Sequence, residues 1–313
     1  MTARGGWPNV ATIRRVLMVV IALGLMAAAP VPSPAPAARV DGAAAFRHLE
    51  RLVALGPRPA GSAVGARARD YIVATLKAAG VEVRVEPFEA ETPDGRLRMA
   101  NVVGIARGRR PDVIMLAGHY DTKLFREFRF VGANDGGSSA ALLLELARQL
   151  AAAPREYTYW IAFFDGEEAR ASWTAQDSLY GSRRMAETLA RGGRLPRALI
   201  VVDMIGDRDL GIKRESFSTE ALTDILWASA RRLGHDAHFL SDTMPVEDDH
   251  VPFLRAGVPA ALLIDFDFPP WHTADDTLDK VSARSLQIVG DVVLDALPSV
   301  EWWLSRAAAP TRR

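Results

Sequence analysis

Four apolar runs in this chain each end on an acid or a histidine, and that repetition constrains the fold more than any other feature. Val113 to Ala117 ends in Gly118-His119-Tyr120-Asp121, and Tyr157 to Phe164 ends in Asp165-Gly166-Glu167-Glu168. Ala198 to Val202 ends in Asp203, and Ala260 to Ile264 leads through a short Pro-containing loop to Trp271-His272. Short runs rich in β-branched and aromatic residues read as buried strands. Buried carboxylates are costly unless they are paired, hydrogen-bonded or bound to a cation. Polar residues recurring at the same end of strand after strand mark the carboxyl edge of an open α/β sheet, where ligands bind.

The remaining pattern supplies the partners of those strands. Apolar positions recur at helical spacing over Gly42 to Leu55, Ala63 to Ala79, Ala140 to Leu150, Gly181 to Ala190, Thr219 to Leu233 and Ser282 to Leu304. Leu286, Val289 and Val293 fall on one face of the last, as a helix packed on a sheet requires. Val81 to Phe88 and Arg96 to Ile105 alternate as strands, joined across the turn-prone Thr92-Pro93-Asp94-Gly95. Without an internal repeat, or a linker after residue 40, residues 40–306 are expected to form one α/β domain with a mixed, mostly parallel central sheet flanked by helices.

The amino terminus is a different material. Arg14-Arg15 precede an apolar run from Val16 to Ala29, which is followed by the Pro-rich stretch from Pro30 to Ala37. A basic flank, a short apolar centre and small residues read as a secretory signal, with cleavage near Ala29 or Ala37. Residues 1–37 are therefore expected to be a signal peptide and Pro-rich leader, and the mature protein periplasmic or secreted. The run is short against the ~20 apolar residues of a membrane span, so an uncleaved N-terminal anchor is the alternative.

Formal neutrality, with 38 basic and 38 acidic residues, argues against nucleic acid or an anionic membrane surface as a required partner. The chain has no cysteine, which excludes disulfides, thiolate zinc sites and a cysteine nucleophile. It also lacks a G-x-S-x-G elbow and either common Gly-rich phosphate loop. What remains is oxygen and imidazole chemistry, which suits a divalent metal, zinc first.

Each candidate ligand also has an ordinary role open to it. Asp135, in Gly132-Ala133-Asn134-Asp135-Gly136-Gly137, fits an N-cap for the helix that follows. Glu167 and Glu168 fit a helix amino terminus, Asp203 fits a surface acid, and His250 and His272 fit hydrogen-bonded structural roles. Their joint placement favours a site: of six histidines, three lie in these segments, while His48, His235 and His238 stand in helical or loop contexts without such acidic neighbours. Asp121, two residues past His119, reads as the partner that orients that imidazole.

These motifs resemble the zinc-dependent exopeptidase fold shared by di-zinc aminopeptidases and animal-type glutaminyl-peptide cyclotransferases. Two longer stretches look specifically like the cyclotransferase: Phe163 to Glu168 running through Trp173 to Gln176-Asp177-Ser178-Leu179-Tyr180-Gly181-Ser182-Arg183, and Asp248-Asp249-His250-Val251-Pro252-Phe253-Leu254-Arg255. The resemblance implies one zinc held by Asp135, Glu168 and His272, with Glu167 carrying the proton. It also implies an acidic pair of Asp203 and Asp248, and a substrate pocket lined by Trp173, Trp271 and Phe268. The implied substrate is a peptide or protein whose first residue is glutamine, converted to pyroglutamate with release of ammonia.

The sequence departs from the animal cyclases in places. Leu262 stands where they have a histidine, Glu247 is acidic where they have a neutral amide, and their disulfide cannot form. The Asn134-to-Gly137 run looks as much like the aminopeptidase branch. In that alternative His119, Asp135, Glu168, Asp203 and His272 hold two zinc ions and Glu167 activates water. A non-catalytic binding module is the third reading, and it predicts a lost ligand or proton carrier that the sequence does not show.

Overall fold

The computed structural model describes residues 39–153 and 155–307, and the first two residues. Apart from those two, the leader expected over 1–37 lies outside the described residues. In chain order the described elements begin with helices α1 (Gly42–Ala54) and α2 (Ala63–Ala78) and the hairpin β1 (Glu82–Thr92) and β2 (Gly95–Ala106). Next come β3 (Val113–His119), α3 (Gly137–Ala151), β4 (Thr158–Phe164), α4 (Tyr180–Arg191) and β5 (Ala198–Asp203). The last part holds β6 (Ile212–Glu215), α5 (Glu220–Leu233), β7 (Phe239–Met244), α6 (His250–Arg255), β8 (Ala260–Ile264) and α7 (Ala283–Ala307).

The six-stranded sheet has the order β1-β2-β4-β3-β5-β8. β4, β3, β5 and β8 run parallel, whereas β1 with β2 and β2 with β4 pair antiparallel. This is the expected mixed, mostly parallel sheet. β6 and β7 form a separate two-stranded parallel sheet that the sequence reading does not anticipate.

Parallel strands must be covered on both faces, and alternation divides their residues between two cores. Ile114, Leu116, Ile161, Phe163, Ile200, Val202 and Leu263 join the cluster beneath α1, α2, α3, α5 and α7. Met115, Ala117, Ala162, Phe164, Leu199, Val201, Leu262 and Ile264 join the cluster beneath α4 and α6. Leu262 is thus a core residue that packs rather than bonds. Gly118 lies where β3 passes closest to its neighbours: a Cβ there would stand 2.6 Å from the Val202 carbonyl oxygen and 2.9 Å from Ser139 Cβ. Among the described residues no helix is long and apolar enough to cross a membrane.

The small sheet has one consequence for the site, through Glu215 at the end of β6. Its buried carboxylate accepts hydrogen bonds from the amides of Phe217, Ser218 and Val246, from Ser218 Oγ, and from His250 Nε2 at 3.0 Å. It thereby ties the segment that carries Glu247 and Asp248 to the start of α6. Burial opposes ionisation, but the His250 contact and the amide donors outweigh it and hold the carboxyl at about 2, below its ordinary 4.5. The contribution is therefore fully present above pH 4.5 and is lost as pH falls from there through about 2. In urea titrations Glu215→Gln is expected to be less stable than wild type at neutral pH, and the gap should narrow as pH falls through that window. A gap that stays constant down to the acid end would remove this role.

Candidate active site

The carboxyl ends of the parallel strands bring the sequence-predicted residues together. His119 closes β3 and Asp203 closes β5, while Asp165 to Glu168 follow β4 directly. Asp135 sits in the loop before α3, Asp248 in the loop between β7 and α6, and His272 in the loop after β8. Asp135 does not cap α3: the capping residue is Gly136, at φ 72°, with no side-chain cap bond. That frees the carboxylate for other work.

Asp135, Glu168 and His272 present ligand atoms that all lie within 4.8 Å of one another. His272 Nε2 stands 3.2 Å from Glu168 Oε1 and 3.3 Å from Asp135 Oδ2. Two atoms about 2.0–2.1 Å from a shared tetrahedral zinc lie roughly 3.3 Å apart, so the spacing fits an ion between them. Asp135 Oδ2 is buried with no hydrogen-bond donor, which a bound cation would remedy. Burial works against charge on His272, but Asp135 and Glu168 raise it to about 9; the field that would keep a proton there equally attracts a metal cation. The donor set thus fits zinc.

A second group, His119, Asp135 and Asp203, meets the same distance criterion and shares Asp135 with the first. His119 Nε2 lies 3.2 Å from Asp135 Oδ1 and 3.1 Å from Asp203 Oδ1. Here the acceptor already has partners, since Asp203 Oδ1 also accepts from the Met204 amide at 2.8 Å and from Ser139 Oγ at 3.1 Å. Asp121 Oδ1 sits 3.5 Å from His119 Nδ1 and accepts from the Glu167 amide at 3.1 Å, so it serves both residues.

Glu167 belongs to neither group. Its carboxyl faces the same cavity and is pushed well above the usual carboxylate range, first by burial and then, against His119, by Glu168, Asp248 and Asp249. Burial and the charge of Asp203 likewise raise Asp248. The cavity, about 400 Å³, is lined by Glu167, Glu168, Asp203 and Asp248 together with Trp173, Trp271, Phe266, Ile264, Met204 and Val246. Phe268 is not on this wall. It is buried in the core beneath α6 and borders a separate hollow, and Phe266 takes the position expected for it. The resemblance implied Phe268, but the chain turns after β8 and presents Phe266 to the cavity instead.

The sequence reading also missed the residues that hold the site. Arg58 is fully buried and donates to the carbonyls of Tyr120 at 2.7 Å, Val131 at 2.5 Å and Gly132 at 2.8 Å. Asp276 accepts from the amides of Asn134 at 2.7 Å and Asp135 at 3.1 Å. Around His272, Trp271 stacks at 4.1 Å between ring centroids, and Phe125 and Phe130 meet it edge-on. Lys123 Nζ donates to Glu168 Oε2 at 3.4 Å and to the Ala169 carbonyl at 3.1 Å. Trp271 apart, no local motif announces these; an arginine bracketed by Pro57 and Pro59 is the only hint.

A mostly parallel sheet with acids and imidazoles converging at its carboxyl edge, where two groups could hold a metal ion, defines an exopeptidase-like α/β protein. The chain belongs to peptidase family M28, whose model matches residues 101–297. It is 31% identical over 265 residues to the glutaminyl-peptide cyclotransferase of Drosophila melanogaster, covering 74% of this chain and 75% of that protein. It is 36% identical over 255 residues to the glutaminyl-peptide cyclotransferase-like protein of Mus musculus, covering 70% and 66%. Among solved structures, the glutaminyl cyclase of an Acidobacteriales bacterium is similar with a TM-score of 0.82 and 41% identity, covering 88% of this chain and 100% of its own.

The Asp276 clamp can be tested directly. Asp276→Ala leaves two buried amides unpaired, each worth about 1–3 kcal/mol, so a stability loss on that order is expected by denaturant unfolding. Zinc affinity, measured by competition with a chromogenic chelator, should fall about 10–100-fold as Asp135 loosens. Wild-type affinity in the variant would show that Asp135 does not depend on the clamp.

Proposed function

We propose that the protein is a zinc-dependent glutaminyl-peptide cyclotransferase that closes N-terminal glutamine of peptides to pyroglutamate and releases ammonia. The observation that carries this reading is an ungrouped carboxyl, Glu167, beside a three-ligand group in a cavity walled by two tryptophans. Asp135, Glu168 and His272 hold the metal in this reading and leave a coordination position open. Zinc bound there supplies Lewis acidity toward the side-chain amide carbonyl of the substrate.

The chain's own residues do the rest. The walls formed by Trp173, Trp271 and Phe266 hold the glutamine folded, with its amine against its side-chain carbonyl carbon, which converts the attack into a positioned intramolecular step. Glu167 accepts a proton from the attacking amine and returns it to the departing ammonia, base then acid on one carboxyl. Its raised proton affinity suits both halves of that cycle. Asp203 and Asp248 form the acidic pair behind it, with Asp248 holding a proton because two carboxylates at close range do not both ionise cheaply. His119 and Asp121 fix Asp203 and the Glu167 backbone.

The leader sequence supports export, with residues 40–306 as the catalytic domain in the periplasm or outside the cell. Peptides and proteins with N-terminal glutamine are its partners. The second cation group favours one alternative, a di-zinc aminopeptidase with His119 and Asp203 on the second ion. Against it, Asp203 Oδ1 already accepts from the Met204 amide and the Ser139 hydroxyl, which favours a single zinc.

The purified protein is expected to hold one zinc per chain, to release ammonia from Gln-peptides and to leave amino-acid anilides intact. Free amino acid as product, with two zinc ions bound, would replace this reading with the aminopeptidase. Glu167→Gln should lower kcat by about 10²–10⁴ with zinc content unchanged. Turnover at the wild-type rate would remove the assigned role.

A further inference from the structure

Resting on the cyclotransferase reading, we propose that Glu247 and Trp173 form a cation-recognising rim that selects peptides with Lys or Arg directly after the N-terminal glutamine. The charges lining the cavity are unevenly placed. Asp135, Glu167, Glu168, Asp203 and Asp248 are all buried at its floor. Lys123, among the described residues the one lysine or arginine side chain on the lining, is turned toward that floor by Glu168 and the Ala169 carbonyl. Glu247 is the carboxylate of the lining that reaches solvent, with its side chain 36% exposed.

The carboxylate is held in place from both sides. Arg255 Nη2 donates to Oε1 at 2.9 Å, and Trp173 Nε1 points to Oε2 at 3.4 Å. Arg255 does not line the catalytic cavity; it borders a separate hollow with Arg183 and Glu187. It therefore fixes Glu247 from behind and leaves Oε2 facing the mouth. Trp173 and Trp271 mark that mouth, being 41% and 38% exposed where most large apolar side chains are buried.

A peptide whose first residue occupies the floor must leave past these groups. Its second side chain then meets an indole face and a fixed carboxylate. A lysine or arginine gains from both, through cation–π contact and charge pairing. A glutamate in the same place meets like charge with no free cation on the lining to offset it. The floor acids add to this long-range preference without touching the second residue.

The test compares Gln-Lys-Ala-Gly-amide with Gln-Glu-Ala-Gly-amide on the zinc-loaded full chain, following pyroglutamate by mass spectrometry and ammonia in a coupled assay. The expected result is a kcat/KM ratio favouring the lysine peptide by about fivefold or more at low ionic strength, the size of ~1 kcal/mol of partly exposed charge pairing. Raising the salt from about 20 mM to about 500 mM should shrink the ratio by screening. Glu247→Gln should bring it to within about twofold at low salt and remove most of its salt dependence. A mere loss of packing would slow both peptides and leave the ratio alone. An unchanged ratio in the variant, or no preference in wild type, would overturn the rim while leaving the cyclotransferase reading intact. Failure of the zinc-loaded chain to form pyroglutamate from either peptide would overturn both.

Discussion

The site depends on one arrangement: a buried guanidinium and a buried carboxylate that share the backbone of the loop carrying Asp135. That loop runs through the interior without helix or strand partners, and buried backbone groups must be paired. Arg58 takes the carbonyls of residues 131 and 132 and Asp276 takes the amides of residues 134 and 135. Asn134 Oδ1 accepts from the Gly206 amide, which joins the loop to the end of β5. Each unmet group would cost about 1–3 kcal/mol against a total stability of roughly 5–15 kcal/mol. Burial lowers the Arg58 guanidinium only to about 10, with Asp276, Asp121 and Asp135 opposing the loss of charge. It therefore stays a cation at neutral pH and continues to donate.

Holding that loop has an electrostatic consequence. Asp135 stands between two imidazoles, with Oδ1 toward His119 and Oδ2 toward His272. Around it lie Glu167, Glu168, Asp203 and Asp248, all buried, and Lys123 supplies a single ammonium. Negative charge out of water in this excess is unfavourable unless a cation or protons neutralise it. A cation bound at this cluster would therefore add to the stability of the fold, since it would replace protons as the neutralising charge. Backbone strain collects at the same place: Leu179, Met204 and His272 adopt φ of 53°, 44° and 54°. Each such residue costs on the order of 1–3 kcal/mol, and all three lie in or directly behind the cavity wall.

The parts legible in the sequence are those written in local patterns. The strands and the acids at their ends were readable because burial on both faces demands unbroken apolar runs, and a polar residue can stand only where the run stops. Helices α1, α2, α3, α4, α5 and α7 followed from spacing, to within a few residues at their ends. β6 was not readable: Ile212-Lys213-Arg214-Glu215 has no apolar alternation, and its pairing with β7 is decided by a partner more than twenty residues away. Arg58 and Asp276 carry no signal because their partners are backbone atoms, which any sequence supplies. The expectation of Phe268 on the pocket wall failed for a related reason, since the side of a turning loop that faces a cavity depends on what it packs against.

In the proposed reading, the partners of Asp203 bear on whether the site takes one cation or two. A second ion between His119, Asp135 and Asp203 would share a carboxylate whose Oδ1 already accepts from the Met204 amide and the Ser139 hydroxyl. At the first group Asp135 Oδ2 faces His272 Nε2 at 3.3 Å without a completed hydrogen bond and would gain a partner if an ion bound. The two groups thus differ in what binding displaces, although their distances are alike. Chemistry adds a separate reason. A hydrolase must prepare a water molecule, and two metals help to do so. Ring closure brings its nucleophile on the substrate and asks only for a carbonyl made electrophilic, a carboxyl to ferry one proton and walls that exclude water. In the proposed reading the first group, Glu167 and the Trp173–Trp271 mouth supply those three parts.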